Sequence, residues 1–214
     1  MYKISRLALA ASGVLLFATT ITPATAISSC KVVATPVRTP ASHDSPHMSS
    51  HATPSAMRVS PEQQFIDMMI PHHESMIALA TVAQPLLLDP RLREMANTII
   101  STQDAEVSEL RILREARFRS TEPVSLSPTM MQDPELDAEA KLAAFCAASN
   151  PDLAFALETL SHHHMAVDES RVFLEKSQDE ELRAVAERVI TAQESEIAVL
   201  KQFLEEHNTA TPVP

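Results

Sequence analysis

The stretch Phe65-Ile66-Asp67-Met68-Met69-Ile70-Pro71-His72-His73 returns ninety residues later as Phe155-Ala156-Leu157-Glu158-Thr159-Leu160-Ser161-His162-His163. The register then holds without a gap: Asp89, Leu92, Arg93, Ala96, Ile100, Gln103, Glu106 and Leu110 recur as Asp179, Leu182, Arg183, Ala186, Ile190, Gln193, Glu196 and Leu200. A self-match at one fixed period reads as a structural unit that has been duplicated. A duplicated core preserves apolar positions in any case. Matched histidine, glutamine and glutamate need a further reason, and a metal is the first to test.

Outward from the histidines, helix starts are marked in one recurrent way. A capping residue is followed by proline at the first helical position in Ser60-Pro61, Asp89-Pro90, Asp133-Pro134 and Asn150-Pro151. Gln63 completes a capping box with Ser60, and Asp179, Glu180 and Glu181 place negative charge at a fifth helix start near 177–179. Apolar residues such as Leu182, Val185, Ala186, Val189 and Ile190 fall at three-and-four spacing. The predicted helices span 61–84, 90–117, 134–148, 151–176 and 178–207. Short connections at 85–89 and around 177 make each repeat an antiparallel helical hairpin. A hairpin alone exposes an apolar face, so the two are expected to close into one all-α four-helix bundle over 60–207. Repeat one is 60–117, a crossover containing Met130 and Met131 is 118–149, and repeat two is 150–207.

The ends of the chain read differently. Residues 1–26 carry Lys3 and Arg6, an apolar run from Leu7 to Thr19 and then Ala24-Thr25-Ala26, the layout of a secretory signal peptide. The chain is therefore expected to be exported, to the periplasm or beyond. Nothing later is long and apolar enough for a membrane span. Ile27-Ser28-Ser29-Cys30 resembles a lipobox, so a lipid anchor at Cys30 stands as an alternative to simple cleavage. A disulfide from Cys30 to Cys146 is equally permitted in an oxidising compartment. Residues 27–59, rich in Ser, Thr, Pro and Ala, predict a flexible tether. Its His43, His47, Met48 and His51 form an auxiliary tract that could collect metal ions or serve only as polar filler.

Composition removes several function classes. The formal charge is −11, and nucleic acid binding needs clustered Lys and Arg. The single glycine, Gly13, lies in the signal segment, which excludes glycine-rich phosphate loops and dinucleotide turns. There is no Gly-x-Ser-x-Gly elbow and no His-Glu-x-x-His zinc motif, since Ile77 stands where the second histidine of His73-Glu74 would fall. A di-iron or di-manganese oxidase would use paired Glu-x-x-His motifs, and the chain has none. The expectation is a protein that is not an enzyme.

Met69, His73 and Met76 share one narrow helical stripe, with His72 beside it. The second copy is denser in histidine, reading His162, His163, His164 and Met165, but it carries Thr159 where the first has Met69. Thioether and imidazole together suit copper, and Cu(I) above all. Pro71 cannot donate to the carbonyl of Asp67, so a kink is expected just before the first histidine pair. Gln103 with Glu106, and Gln193 with Glu196, are placed to orient ligand histidines through their second ring nitrogens. A polar seam that fixes helix register without any metal explains the same four residues.

The string from Phe65 to His73 followed by Gln103, Glu106 and Val107, with its copy from Phe155 to His163 followed by Gln193, Glu196 and Ile197, resembles the domain-of-unknown-function family 305. These are exported bacterial proteins of ferritin-like four-helix architecture, and some are periplasmic copper-binding proteins. The resemblance covers residues 60–205. It implies copper binding through Met69, His72, His73, His162 and His163. Leu110 and Leu200 stand where the family often places methionine, which weakens the implied copper affinity or shifts the metal preferred. The function expected is extracytoplasmic copper buffering or delivery, with the ion and a metal-trafficking protein as partners. A metal-free structural or partner-binding bundle is the alternative.

Overall fold

The computed structural model describes residue 30, residues 59–120 and residues 138–208. The signal segment at 1–26, nearly all of the tether with His43, His47, Met48 and His51, and the Asp133-Pro134 helix start lie outside the described residues.

Among the described residues 59–120 and 138–208 the α-helices run in this order: α1 at Pro61–Ala83, α2 at Pro90–Phe118, α3 at Ala138–Ala147, α4 at Pro151–Lys176 and α5 at Glu180–Asn208. No strand occurs among the described residues. The caps act as the sequence predicts. Ser60, Asp89 and Asn150 accept hydrogen bonds from the backbone N–H groups of Gln63, Arg91 and Leu153. Asp179 accepts from the N–H of Leu182 at 3.0 Å, opening α5 two residues later than expected. α1 runs without a break through Pro71, then tightens into a 3₁₀ turn at Gln84–Leu86. α2 ends with Arg119 in the left-handed conformation (φ 51°, ψ 34°), a position usually given to glycine.

The hairpins α1–α2 and α4–α5 pack together mainly through α1 against α4, and α3 lies across both of these helices. The core has two apolar parts. One contains Phe65, Met69, Leu110, Phe173 and Leu182. The other contains Met76, Leu92, Phe155, Leu200 and Phe203, with Phe145 of α3. The ninety-residue register exchanges the two: Phe65 belongs to one and Phe155 to the other, as do Leu182 and Leu92, and Leu110 and Leu200. The duplication therefore places a pseudo-two-fold axis through the middle of the bundle, and each hairpin contributes to both apolar parts. Two connections are also repeated. Arg93 donates to the carbonyl of Leu87, and its counterpart Arg183 donates to that of Ser177 at 2.8 Å, so each guanidinium closes the turn of its own hairpin.

Cys30 is joined to Cys146 in a disulfide spanning 116 residues. The lipid-anchor alternative requires the same sulfur for a thioether, so it is incompatible with this bonded form, and the disulfide alternative is the one observed. No helix among the described residues is long and apolar enough to cross a membrane.

Candidate metal centre

Between the two apolar parts lies a layer of buried polar side chains. His72 and His73 of α1 and His162 and His163 of α4 are all fully buried, and Gln103 of α2 and Gln193 of α5 are nearly so. The rings of His72 and His162 stack across the pseudo-two-fold axis with centroids 3.5 Å apart and planes inclined by 28°. Their neighbours His73 and His163 lie 5.9 Å away on either side, centroid to centroid.

Hydrogen bonds orient three of these four rings. His73 Nε2 meets Glu106 Oε2 at 2.9 Å, and His163 Nε2 meets Glu196 Oε2 at 2.6 Å. His162 Nε2–H donates to the carbonyl of His72 at 2.8 Å. Each bond uses Nε2 and leaves Nδ1 of the same ring buried without a partner, and His72 has neither nitrogen engaged. A ring that donates through one nitrogen presents a lone pair on the other, which is how carboxylates prepare histidines for metal ions. Glu106 and Glu196 thus each fix one ring through its Nε2, as either an orienting role or a metal-free polar seam would have it. The glutamines do not, for both amide atoms of Gln103 and of Gln193 are buried without partners. Buried polar atoms rarely remain unsatisfied in native proteins, and nine of them gather in this layer.

Burial holds both His72 and His162 well below the ordinary imidazole value. Repulsion from His73, His163 and Lys141 adds to this at His72, and repulsion from His72, His163 and Lys141 at His162. Their lone pairs are therefore open to a cation at neutral pH. Folding stability acquires a pH dependence from the same shifts. An unfolded imidazole titrates near pH 6.5, so below that pH the unfolded chain binds protons that the folded one refuses. The stability contributed is complete above about pH 6.5 and falls as pH drops toward the depressed folded value. Two such groups give a slope of up to about 2.7 kcal/mol per pH unit. Urea unfolding of the metal-free protein between pH 7.5 and 5 is expected to show this decline. The double variant His72→Gln/His162→Gln should flatten it, whereas an unchanged slope would place the cause elsewhere. The depressed carboxyls of Asp89, Asp179 and Glu206 act only at lower pH.

The remaining predicted ligands are distributed unequally. Met69 and Met76 are completely buried, one in each apolar part, and so flank the layer from opposite sides. His164 is exposed and Met165 only partly buried, packed against the core outside the polar layer. The helix explains this, because consecutive residues are rotated about 100° and a run of four cannot all face inward. Thr159, the counterpart of Met69, is buried with its hydroxyl unpartnered. Among the described residues no three His, Cys, Asp or Glu side chains converge as a ready metal cage. The donor types fit a soft or borderline ion, and the rings would have to turn to enclose one.

Four residues were not read from the sequence. Ser75 donates to the carbonyl of His72 at 2.8 Å and stands 3.5 Å from His162 Nε2, fastening the two helices at the axis. Asp67 of α1 and Arg114 of α2 form a buried ion pair at 3.0 Å. A carboxylate in the otherwise apolar run from Phe65 to Ile70 was the available signal for it. Lys141 of α3 is buried and donates to Glu158 of α4. No repeat position marks it, since α3 lies outside the duplication.

The sequence pattern described as "Domain of unknown function (DUF305)" matches residues 25–146 and 152–214. Among solved structures, CopM in the Cu(I)-bound form is 28% identical, covering 68% of this chain and 96% of that one with a TM-score of 0.58. CopM in the Cu(II)-bound form is 27% identical with the same coverage and TM-score. A DUF305 fragment from Deinococcus radiodurans is 20% identical, covers 69% of this chain and 97% of its own and has a TM-score of 0.59, a likeness of fold. No curated protein sequence matches.

Proposed function

For a chain that belongs to the DUF305 family, we propose a non-enzymatic role in binding copper outside the cytoplasm, buffering the ion or passing it on in copper homeostasis or resistance. The observation that carries this reading is the layer of four buried histidines, three of them held so that an unpartnered Nδ1 remains. The likeness to CopM, solved with Cu(I), Cu(II) and Ag bound, supports copper as the ion. Neutral imidazoles flanked by buried thioethers favour Cu(I) over hard cations. Export rests on the signal-like segment at 1–26 and accords with the disulfide, a bond of oxidising compartments.

A metal-free polar layer is the competing reading. The His73–Glu106 and His163–Glu196 bonds favour it, as does the lack of a preformed cage among the described residues.

Titration of the protein with Cu(I) against a competing chelator separates the two. Tight binding is expected, with loss of at least tenfold in affinity in the variant carrying alanine at His72, His73, His162 and His163. The milder pair His73→Gln/His163→Gln guards against a variant that simply fails to fold. Bound copper should also raise the unfolding temperature, because a ligand stabilises only the state that binds it. Binding unchanged in both variants would move the site to the tract at His43, His47, Met48 and His51. Absence of binding would leave the histidines as structural groups.

A further inference from the structure

His72, His73, His162 and His163 have no surface in solvent, so an ion reaches them only when part of the fold opens. The hairpins are poorly suited to be that part. α1, α2, α4 and α5 are between 23 and 29 residues long, and separating them breaks both apolar parts of the core. α3 is ten residues long, a length at which a helix is marginal in water without packing to support it. It lies outside the duplicated hairpins and packs on α1 and α4, the two helices whose histidines stack across the axis. Phe145 of α3, 4% exposed, shares an apolar part with Met76 and Leu79 of α1 and Phe155 of α4. Met76 is one turn beyond His72 and His73, and Glu158, which accepts from Lys141 of α3, is one turn before His162. α3 therefore covers the α1–α4 seam next to the four rings. Cys146, its penultimate residue, fastens its C-terminal end to Cys30.

We propose that α3 is the access gate of the histidine layer and that the Cys30–Cys146 bond is its latch, so that metal ions enter and leave by displacement of α3 with α1, α2, α4 and α5 still packed. This rests on the reading of the layer as a metal site. Proteins open locally at free energies below that of global unfolding, and a cross-link shifts such an opening toward the closed form. A gate that the ion does not touch changes the rates of arrival and departure by one factor and leaves affinity where it was. The latched protein then holds its ion in slow exchange, which suits storage over rapid delivery.

Access can be read without any metal. Diethyl pyrocarbonate acylates neutral imidazole nitrogens, and peptide mass spectrometry separates its rate at the four buried rings from that at the exposed His164. Cys30→Ser/Cys146→Ser removes the latch and should speed acylation of the buried rings by about tenfold or more, with His164 unchanged. Phe145→Leu keeps the bond but loosens α3, and should speed it as well. Phe173→Leu is the matched control. Phe173 is as well buried, at 3%, but belongs to the apolar part in which α3 has no residue, and its variant should stay within about twofold of wild type. The acceleration should change little in dilute urea, because a local opening exposes far less surface than unfolding does. Transfer of bound Ag(I) to a competing chelator should quicken in the same order, with Kd held within about threefold.

Equal acceleration by Phe145→Leu and Phe173→Leu would overturn the proposal, because access would then follow global stability. So would buried rings that react no faster once the latch is gone, or a urea dependence as steep as that of unfolding. Tight metal binding with transfer rates indifferent to the latch would also overturn the gate, and would leave copper binding itself intact. If acylation followed the expected order while the protein bound neither Ag(I) nor Cu(I), the proposed function would fail, and the metal-gating role of α3 with it.

Discussion

Replacing Asp67 with alanine is expected to destabilise the protein by about 3–5 kcal/mol, because it leaves the buried guanidinium of Arg114 without the carboxylate it faces at 3.0 Å. Both side chains are at least 94% shielded from water, so solvent screening does little to soften the loss. The pair itself is a different matter from its half. Desolvating two charges offsets much of their attraction, and well-packed apolar substitutes are often as stable or more so. The positions related to Asp67 and Arg114 are Leu157 and Leu204; Leu157 is 53% exposed, so the second hairpin shows only that no ion pair is required there, not that a buried apolar pair replaces it. The double variant Asp67→Leu/Arg114→Leu is expected to recover most of the stability lost in Asp67→Ala. Denaturant unfolding of the variants checks this. A double variant as damaged as the single one would mean that the two residues act separately, and that the pair as described does not explain their burial.

Breaking the disulfide should have an effect of similar size. A cross-link that closes a loop on the order of 100 residues removes about 4.7 kcal/mol of chain entropy from the unfolded state, and loss of native disulfides commonly costs about 2–5 kcal/mol. Cys30 and Cys146 are separated by 116 residues. Reductant is expected to lower the denaturation midpoint by the corresponding amount, and the double variant Cys30→Ser/Cys146→Ser should start at the lower value and ignore reductant. If the wild-type protein were equally indifferent, the bond would not form in solution, and a lipid at Cys30 would again be open. Reduction should also loosen α3, since Cys146 lies on that helix beside Phe145, which is buried in the core.

The repeat and the Xaa-Pro caps made the fold legible from sequence, because both are local signals: a capping side chain and a proline act within one turn of the helix they open. The histidines and their glutamate partners were legible for a different reason, namely that polar identity persisted at equivalent positions where core packing does not demand it. His164 turns outward, because adjacency in sequence is not adjacency on a helix. The buried amides of Gln103 and Gln193 were placed to orient a histidine or to form a polar seam, yet it is Glu106 and Glu196 that meet the rings while the amides find no partner. Lys141 could not have been read at all. Its burial depends on how α3 comes to rest on α1 and α4, and no periodicity in the chain encodes that contact.

The axis that passes between His72 and His162 has a consequence for how such a centre can change. Were the bundle assembled from two copies of one hairpin, every substitution would strike both halves of the layer at once, and the halves would stay identical. Carried on a single chain, Met69 and Thr159 can differ, and so can Met76 and Ala166, with each half altered while the other keeps its chemistry.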